Sequence, residues 1–156
     1  TILFDFVKNG GNMVVQYNTS RGLVTDELAP YKLELSRDRV TDEFAEVKFL
    51  AIDHPVLNIP NKITQTDFEN WTQERGLYFP DTWSKDFTPI LSMNDKGESA
   101  KKGSLLVAKY GKGYYVYTGL SFFREFPAGV SGAYRLFANM LSIGKGDISN
   151  TLDIKN

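Results

Sequence analysis

Residues 105–144 constrain the fold of this chain more than any other stretch. Two apolar runs, Leu105 to Tyr110 and Tyr114 to Leu120, flank Gly111-Lys112-Gly113. A three-residue connection with glycine between such runs is a hairpin signal. Phe122 and Phe123 prolong the apolar stretch until Pro127 breaks it. Ser131 then caps a helix in which Ala133, Tyr134, Leu136, Phe137, Met140 and Leu141 share an apolar face, and Gly144 ends it. The start of the chain supplies a complementary unit. Ile2, Leu3, Phe6 and Val7 lie on one helical face, Gly10-Gly11 stops the helix, and Met13 to Tyr17 reads as a short buried strand. Helix, Gly-Gly turn and apolar strand form the αβ half of an α/β unit.

Ligands in open α/β sheets sit outside the carboxyl ends of the strands. The loop with Asn18, Thr19 and Ser20 follows such an end, so Gln16 and Asn18 are binding candidates beside the simpler reading of loop caps. The middle of the chain is less regular. Tyr31, Leu33 and Leu35 alternate, as do Val47 and Phe49, which suggests half-buried strands. His54-Pro55 and Ile59-Pro60 read as extended or turn dipeptides. Thr66-Asp67-Phe68-Glu69 has the form of a capping box, predicting a helix that places Phe68, Trp71 and Thr72 on one face and ends at Gly76. Residues 77–87 are aromatic-rich and interrupted by Pro80, and residues 94–103 read as a polar surface loop.

Composition narrows the chemistry. The chain has 156 residues, no Cys and a single His, His54. This length gives a prior of one domain, which at such a size buries roughly 70% of its unfolded surface. The absence of Cys removes thiol nucleophiles, disulfides and Cys-bound zinc, and one His removes every two-histidine metal motif within these residues. A net charge of −1 gives no general electrostatic reason to bind nucleic acid or an anionic membrane. No apolar run approaches the ~20 residues that span a bilayer, and the start has no basic-then-apolar leader. The chain opens at Thr1 within an amphipathic pattern, which leads to the expectation of a fragment or a processed product.

The chemistry-bearing signals are weak one by one. Gly111-Lys112-Gly113 and Gly144-Lys145-Gly146 do not match a phosphate-binding loop. Gly129-Val130-Ser131-Gly132 is one residue too short for a nucleophile elbow, and Asp53-His54-Pro55 reads as a turn rather than part of a triad. Asn18-Thr19-Ser20 and Asn70-Trp71-Thr72 match a glycosylation sequon, the second within the expected helix. Carboxylates cluster at Asp38, Asp42, Glu43 and Glu46, and at Asp67, Glu69 and Glu74. They read first as a solvated face with Arg37, Arg39 and Lys48, and second as a general acid–base or cation-binding set. Arg75 follows Glu74 and abuts Leu77-Tyr78-Phe79, where it could recognise a carboxylate, stack on a ring or form a structural ion pair.

Several longer runs resemble a known family. They are His54-Pro55, Asn61-Lys62-Ile63-Thr64, Asp67-Phe68, Trp71 and Glu74-Arg75-Gly76-Leu77-Tyr78-Phe79. Ser104 to Gly113, Tyr117-Thr118-Gly119-Leu120, Phe122-Phe123-Arg124, Pro127-Ala128-Gly129 and Gly132-Ala133-Tyr134-Arg135-Leu136 continue the series. Together with Asn9 to Tyr17 and Arg39-Val40-Thr41-Asp42-Glu43, they resemble the C-terminal region of large bacterial PIG-L (LmbE-like) deacetylase proteins over residues 1–144, leaving 145–156 as a polar tail. More distantly, the order of elements is similar to the second half of class I glutamine amidotransferase-like and ThuA-like domains. That resemblance implies a partial flavodoxin-like, three-layer α/β domain with a long irregular insertion and a C-terminal hairpin plus helix, its first half lying upstream.

The family's enzymes hydrolyse N-acetyl groups of amino sugars with zinc held by a His-Pro-Asp-Asp motif. Here His54-Pro55 is followed by Val56-Leu57, so no zinc ligand or catalytic residue carries over and zinc is expected only in a separate catalytic domain. The resemblance thus implies a non-catalytic accessory domain, in a periplasmic or secreted setting, whose partner is the deacetylase domain of the same parent chain. A glycan ligand would then be expected on Gln16, Asn18, Trp71, Arg75 and Tyr78, with rings stacking on sugar faces. Two alternatives stay open: a glycan hydrolase using Asp42, Glu43, Asp67 or Glu74, and a purely oligomerising module with an exposed sheet edge.

Overall fold

The structure, a computed structural model, describes residues 2–16 and 28–145. It is a mixed α/β fold built on a four-stranded mixed sheet. Helix α1 (Ile2–Lys8) leads into β1 (Asn12–Gln16) through a glycine turn. The Gly10 N–H bonds to the Val7 carbonyl and the Gly11 N–H to the Phe6 carbonyl, with Gly10 at φ +116°. These are the paired bonds of a left-handed helix stop, and glycine adopts that φ without a Cβ penalty. Strands β2 (Leu33–Val40), β3 (Lys48–Phe49), β4 (Gly76–Trp83), β5 (Phe87–Pro89) and β6 (Leu91–Ser92) follow. The chain closes with β7 (Leu105–Tyr110), β8 (Gly113–Thr118), the short helix α2 (Phe122–Glu125) and α3 (Ser131–Ser142).

The main sheet runs β1-β8-β7-β5. β1 is parallel to β8, with Gln16 opposite Thr118, and the other two pairs are antiparallel. β2 pairs with β4 in an antiparallel ribbon whose register shifts between Glu34 and Arg39, and β3 pairs with β6. The hairpin read from the sequence is present, but Tyr110 pairs with Gly113, so the connection has two residues rather than three.

Alternation along the strands divides the core. Val14, Leu105, Val107 and Val116 join the larger cluster with Leu136 and Met140 of α3, Phe122 of α2 and residues such as Val56, Phe68 and Trp71. Met13, Val15, Leu106, Tyr115 and Tyr117 face the other way, under Phe4 of α1 and under Leu28, Tyr31 and Leu33. Period-two alternation thus buries both faces of the sheet, α3 over one and α1 over the other. This explains the near-continuous burial of β7 and β8.

Three expectations need correction. The predicted helix after Thr66 is a single 3-10 turn, Gln65–Phe68. Its capping box is Thr64 with Asp67, two residues before the expected pair. Asn70 and Gln73 adopt φ of 63° and 68°, which a helix cannot accommodate, so Gly76 opens β4 instead of closing a helix. Residues 76–83 form a strand despite Pro80, whose missing N–H falls where the β2–β4 register is irregular. On α3, Val130 rather than Ser131 occupies the N-cap position. Its buried face is Ala133, Leu136, Asn139 and Met140, while Tyr134 and Leu141 are half exposed.

Candidate functional site

Of the residues singled out as a ligand surface, Trp71 and Arg75 are buried and bound to backbone carbonyls. Gln16 is exposed at the carboxyl end of β1, and Asn18 lies outside the described residues. Trp71 is only 3% exposed. Its indole N–H donates to the Asp67 carbonyl at 2.9 Å, and its ring packs on Phe68 and Phe122 at centroid distances of 5.6 and 5.9 Å. A ring held this way has no face to offer a sugar. Tyr78 is half buried at φ 55°, and its carbonyl accepts the Tyr117 hydroxyl at 3.2 Å.

Arg75 is 6% exposed. Its Nε and Nη2 donate to the Ala45 carbonyl at 3.2 and 2.9 Å, and Nη1 donates to the Phe68 carbonyl. The guanidinium carbon sits 5.9 Å from the Phe68 ring centroid. Burial lowers the Arg75 pKa from its ordinary value, an effect opposed by the charges of Asp42, Glu125 and Glu43. Arg75 therefore ties two irregular segments, 41–47 and 65–70, to each other. Irregular backbone inside a core leaves carbonyls unpaired unless a side chain reaches them, and the five-donor guanidinium does that for two at once.

The carboxylates proposed for acid–base work are engaged in the same kind of task. Asp67 accepts from Arg135 Nε at 2.8 Å and from the Thr64 N–H at 2.9 Å. Glu74 pairs with Arg124 at 2.7 Å, Glu43 accepts the Gln73 N–H at 2.5 Å, and Asp42 accepts the Phe44 N–H at 2.9 Å. His54 Nδ1 accepts the Val56 N–H at 3.0 Å as the N-cap of a 3-10 turn, and burial lowers its pKa. Among the described residues, no group of three or more His, Asp or Glu side chains is placed to hold a metal ion.

Glu125 and Asn139 are among the buried polar residues that the sequence did not reveal. Glu125 is fully buried and accepts from the Thr72 N–H at 2.5 Å, the Thr72 hydroxyl at 3.1 Å and the Ser121 hydroxyl at 2.6 Å. Asn139 is also fully buried and makes three bonds: to Val56 O at 2.9 Å, to Asn61 O at 2.6 Å and from Asn61 N at 2.9 Å. The available signal for Asn139 was a polar residue on the otherwise apolar face of α3, three positions after Leu136.

Among the described residues, the concavities include two large enough to bear on ligand binding. One of about 430 Å³ lies between the segments that Arg75 joins, with Ala45, Val47 and Phe68 in its lining and Glu43, Glu46 and Glu69 around it. Phe44 stands at its edge, 81% exposed. The other, about 610 Å³, lies between α1 and residues 28–34, where Lys32 and Glu34 pair at 3.2 Å. No family model matches the chain, and neither the curated proteins nor the solved structures contain a match to it.

Proposed function

We propose that this chain is a non-catalytic accessory α/β domain of a PIG-L (LmbE-like) deacetylase protein, packing against the rest of that protein through α1 and the edge of β1. One observation carries the reading. Ile2, Leu3 and Phe6 of α1 are 87%, 60% and 58% exposed, and α1 leads directly into β1, which pairs on one side only among the described residues. An apolar helix face next to an open parallel strand is what a flavodoxin-like sheet presents where further β-α units should join it. The helices over both sheet faces support the same three-layer reading. The engagement of His54, Asp67, Glu74 and Glu125 in holding backbone and side chains in place supports the non-catalytic part of the reading.

The partner in this proposal is the deacetylase part of the parent chain, which supplies the zinc site and the hydrolysis of N-acetylamino sugars. The accessory domain contributes a docking surface. Hydrogen exchange tests this on the 156-residue chain and on the complete parent polypeptide. The outward-facing amides of β1 should exchange quickly in the former and be protected in the latter. Equal exchange in both, or a parent polypeptide without a His-Pro-Asp-Asp motif, would sink the proposal. An exposed apolar face also favours contact between copies, and sedimentation of the chain alone reads that outcome directly.

A further inference from the structure

Among the described residues Phe44 is the most exposed aromatic side chain, yet its backbone is firmly held. Asp95 accepts the Thr41 N–H at 3.0 Å, the Thr41 hydroxyl at 2.9 Å and the Asp42 N–H at 2.8 Å. On the far side, the Ala45 carbonyl takes two donors from Arg75. A fixed turn that presents a bare phenyl ring has already lost the freedom that binding would otherwise cost, which is the property of an interface anchor.

The crevice beside this ring has a distinct charge pattern. Its buried side offers Ala45, Val47 and Phe68, and its charged lining is Glu43, Glu46 and Glu69 against Arg75 alone. The donors of Arg75 point at the Ala45 and Phe68 carbonyls, and Glu43 is engaged with Gln73. The exposed carboxylates of Glu46 and Glu69 have no hydrogen bond or ion pair among the described residues. Apolar lining with unpaired anions at the mouth complements an aliphatic stem that ends in a cation, and it repels an anionic ligand.

We propose that this crevice receives a lysine or arginine side chain from a protein partner. The aliphatic stem lies along Ala45, Val47 and Phe68, the cationic head sits between Glu46 and Glu69, and Phe44 packs on the partner's surface beside it. The inference rests on different residues from the α1–β1 docking reading, so either can fail alone.

The test is an amide NMR titration of the 156-residue chain with two capped pentapeptides, Gly-Leu-Arg-Leu-Gly and Gly-Leu-Glu-Leu-Gly. The arginine peptide should give saturable shifts at Phe44, Ala45 and Val47 at millimolar concentrations, and the glutamate peptide should give none. The double variant Glu46→Gln, Glu69→Gln should weaken binding by about fivefold or more, as should raising salt to about 1 M. Phe44→Ser should weaken it too. The proposal is overturned if the arginine peptide gives no saturable shift, if the glutamate peptide binds as well, or if the double variant binds like the parent.

Discussion

The region between residues 54 and 75 and the corner formed by α1 and β1 differ in an instructive way. The first has almost no regular secondary structure, yet Trp71, Arg75 and Asp67 are buried within it and Asn139 and Arg135 bind it from α3. The second is a regular helix, glycine turn and strand, yet it leaves three large apolar side chains in solvent. Regular backbone satisfies its own hydrogen bonds and tolerates a bare surface. Irregular backbone does not, so the chain supplies buried polar side chains to complete it. Which region is locked therefore follows from side-chain partners rather than from helix and strand content.

The largest effect should come from Asn139→Leu. The variant strands the buried Val56 O and the part-buried Asn61 O and Asn61 N without their side-chain partner. Each buried polar group left unpaired costs about 1–3 kcal/mol, so a loss of about 3 kcal/mol or more is expected in urea unfolding. A loss under about 1 kcal/mol would show that this region is not held as the comparison requires. Arg75→Met should come next, at about 2–3 kcal/mol, because two carbonyls lose their donors. Arg75→Lys should recover only part of that, since an ammonium cannot reproduce the planar fork. A ligand-binding Arg75 would behave in the opposite way, with stability intact and glycan affinity lost.

These partners explain what the sequence made legible. The β7–β8 hairpin, α3 and the α1 stop could be read because their signals are local: alternation, helical spacing and Gly10 at positive φ. Mixed α/β character followed from them. The 54–75 segment was opaque because its conformation is set by contacts far along the chain. Asp67 is both a cap for Thr64 and a partner of Arg135, which lies 68 residues away. Gly132 packs so tightly on this turn that a Cβ there would sit 1.8 Å from the Asp67 carbonyl oxygen. A capping-box pattern gives two adjacent readings, and only such tertiary contacts select Thr64 over Thr66. The burial of Trp71 and Arg75 was hidden for the same reason. An exposed aromatic–arginine pair and a buried one look alike in sequence, so Trp71 and Arg75 read as ligand contacts although they are core ties.

His54 provides a smaller test within the locked region. Burial lowers its pKa below the ordinary 6.5, so the neutral ring is favoured in the fold. The unfolded chain then binds the extra proton first as pH falls, and stability rises with pH wherever the unfolded state holds more protons. Stability should be full above about pH 6.5 and should decline below it until the folded-state pKa is reached. In His54→Gln that slope should disappear from the pH dependence of urea midpoints. An unchanged slope would place its origin elsewhere.

The smallest effect on stability is expected in the open corner, where the effect on association should be largest. Ile2 and Leu3 contribute little to the core, so Ile2→Ser with Leu3→Ser should shift unfolding by only about 0.5 kcal/mol. Under the proposed docking, the same double variant in the proposed parent polypeptide should speed amide exchange along the β1 edge, because the covering surface would lose its apolar contact. In the isolated chain it should reduce any self-association seen by sedimentation. If it instead destabilises the chain as much as Asn139→Leu, α1 is part of the locked core and the contrast between the two regions falls. If stability and association both stay unchanged, the exposed face of α1 is ordinary surface and the proposed docking role loses the observation that carries it.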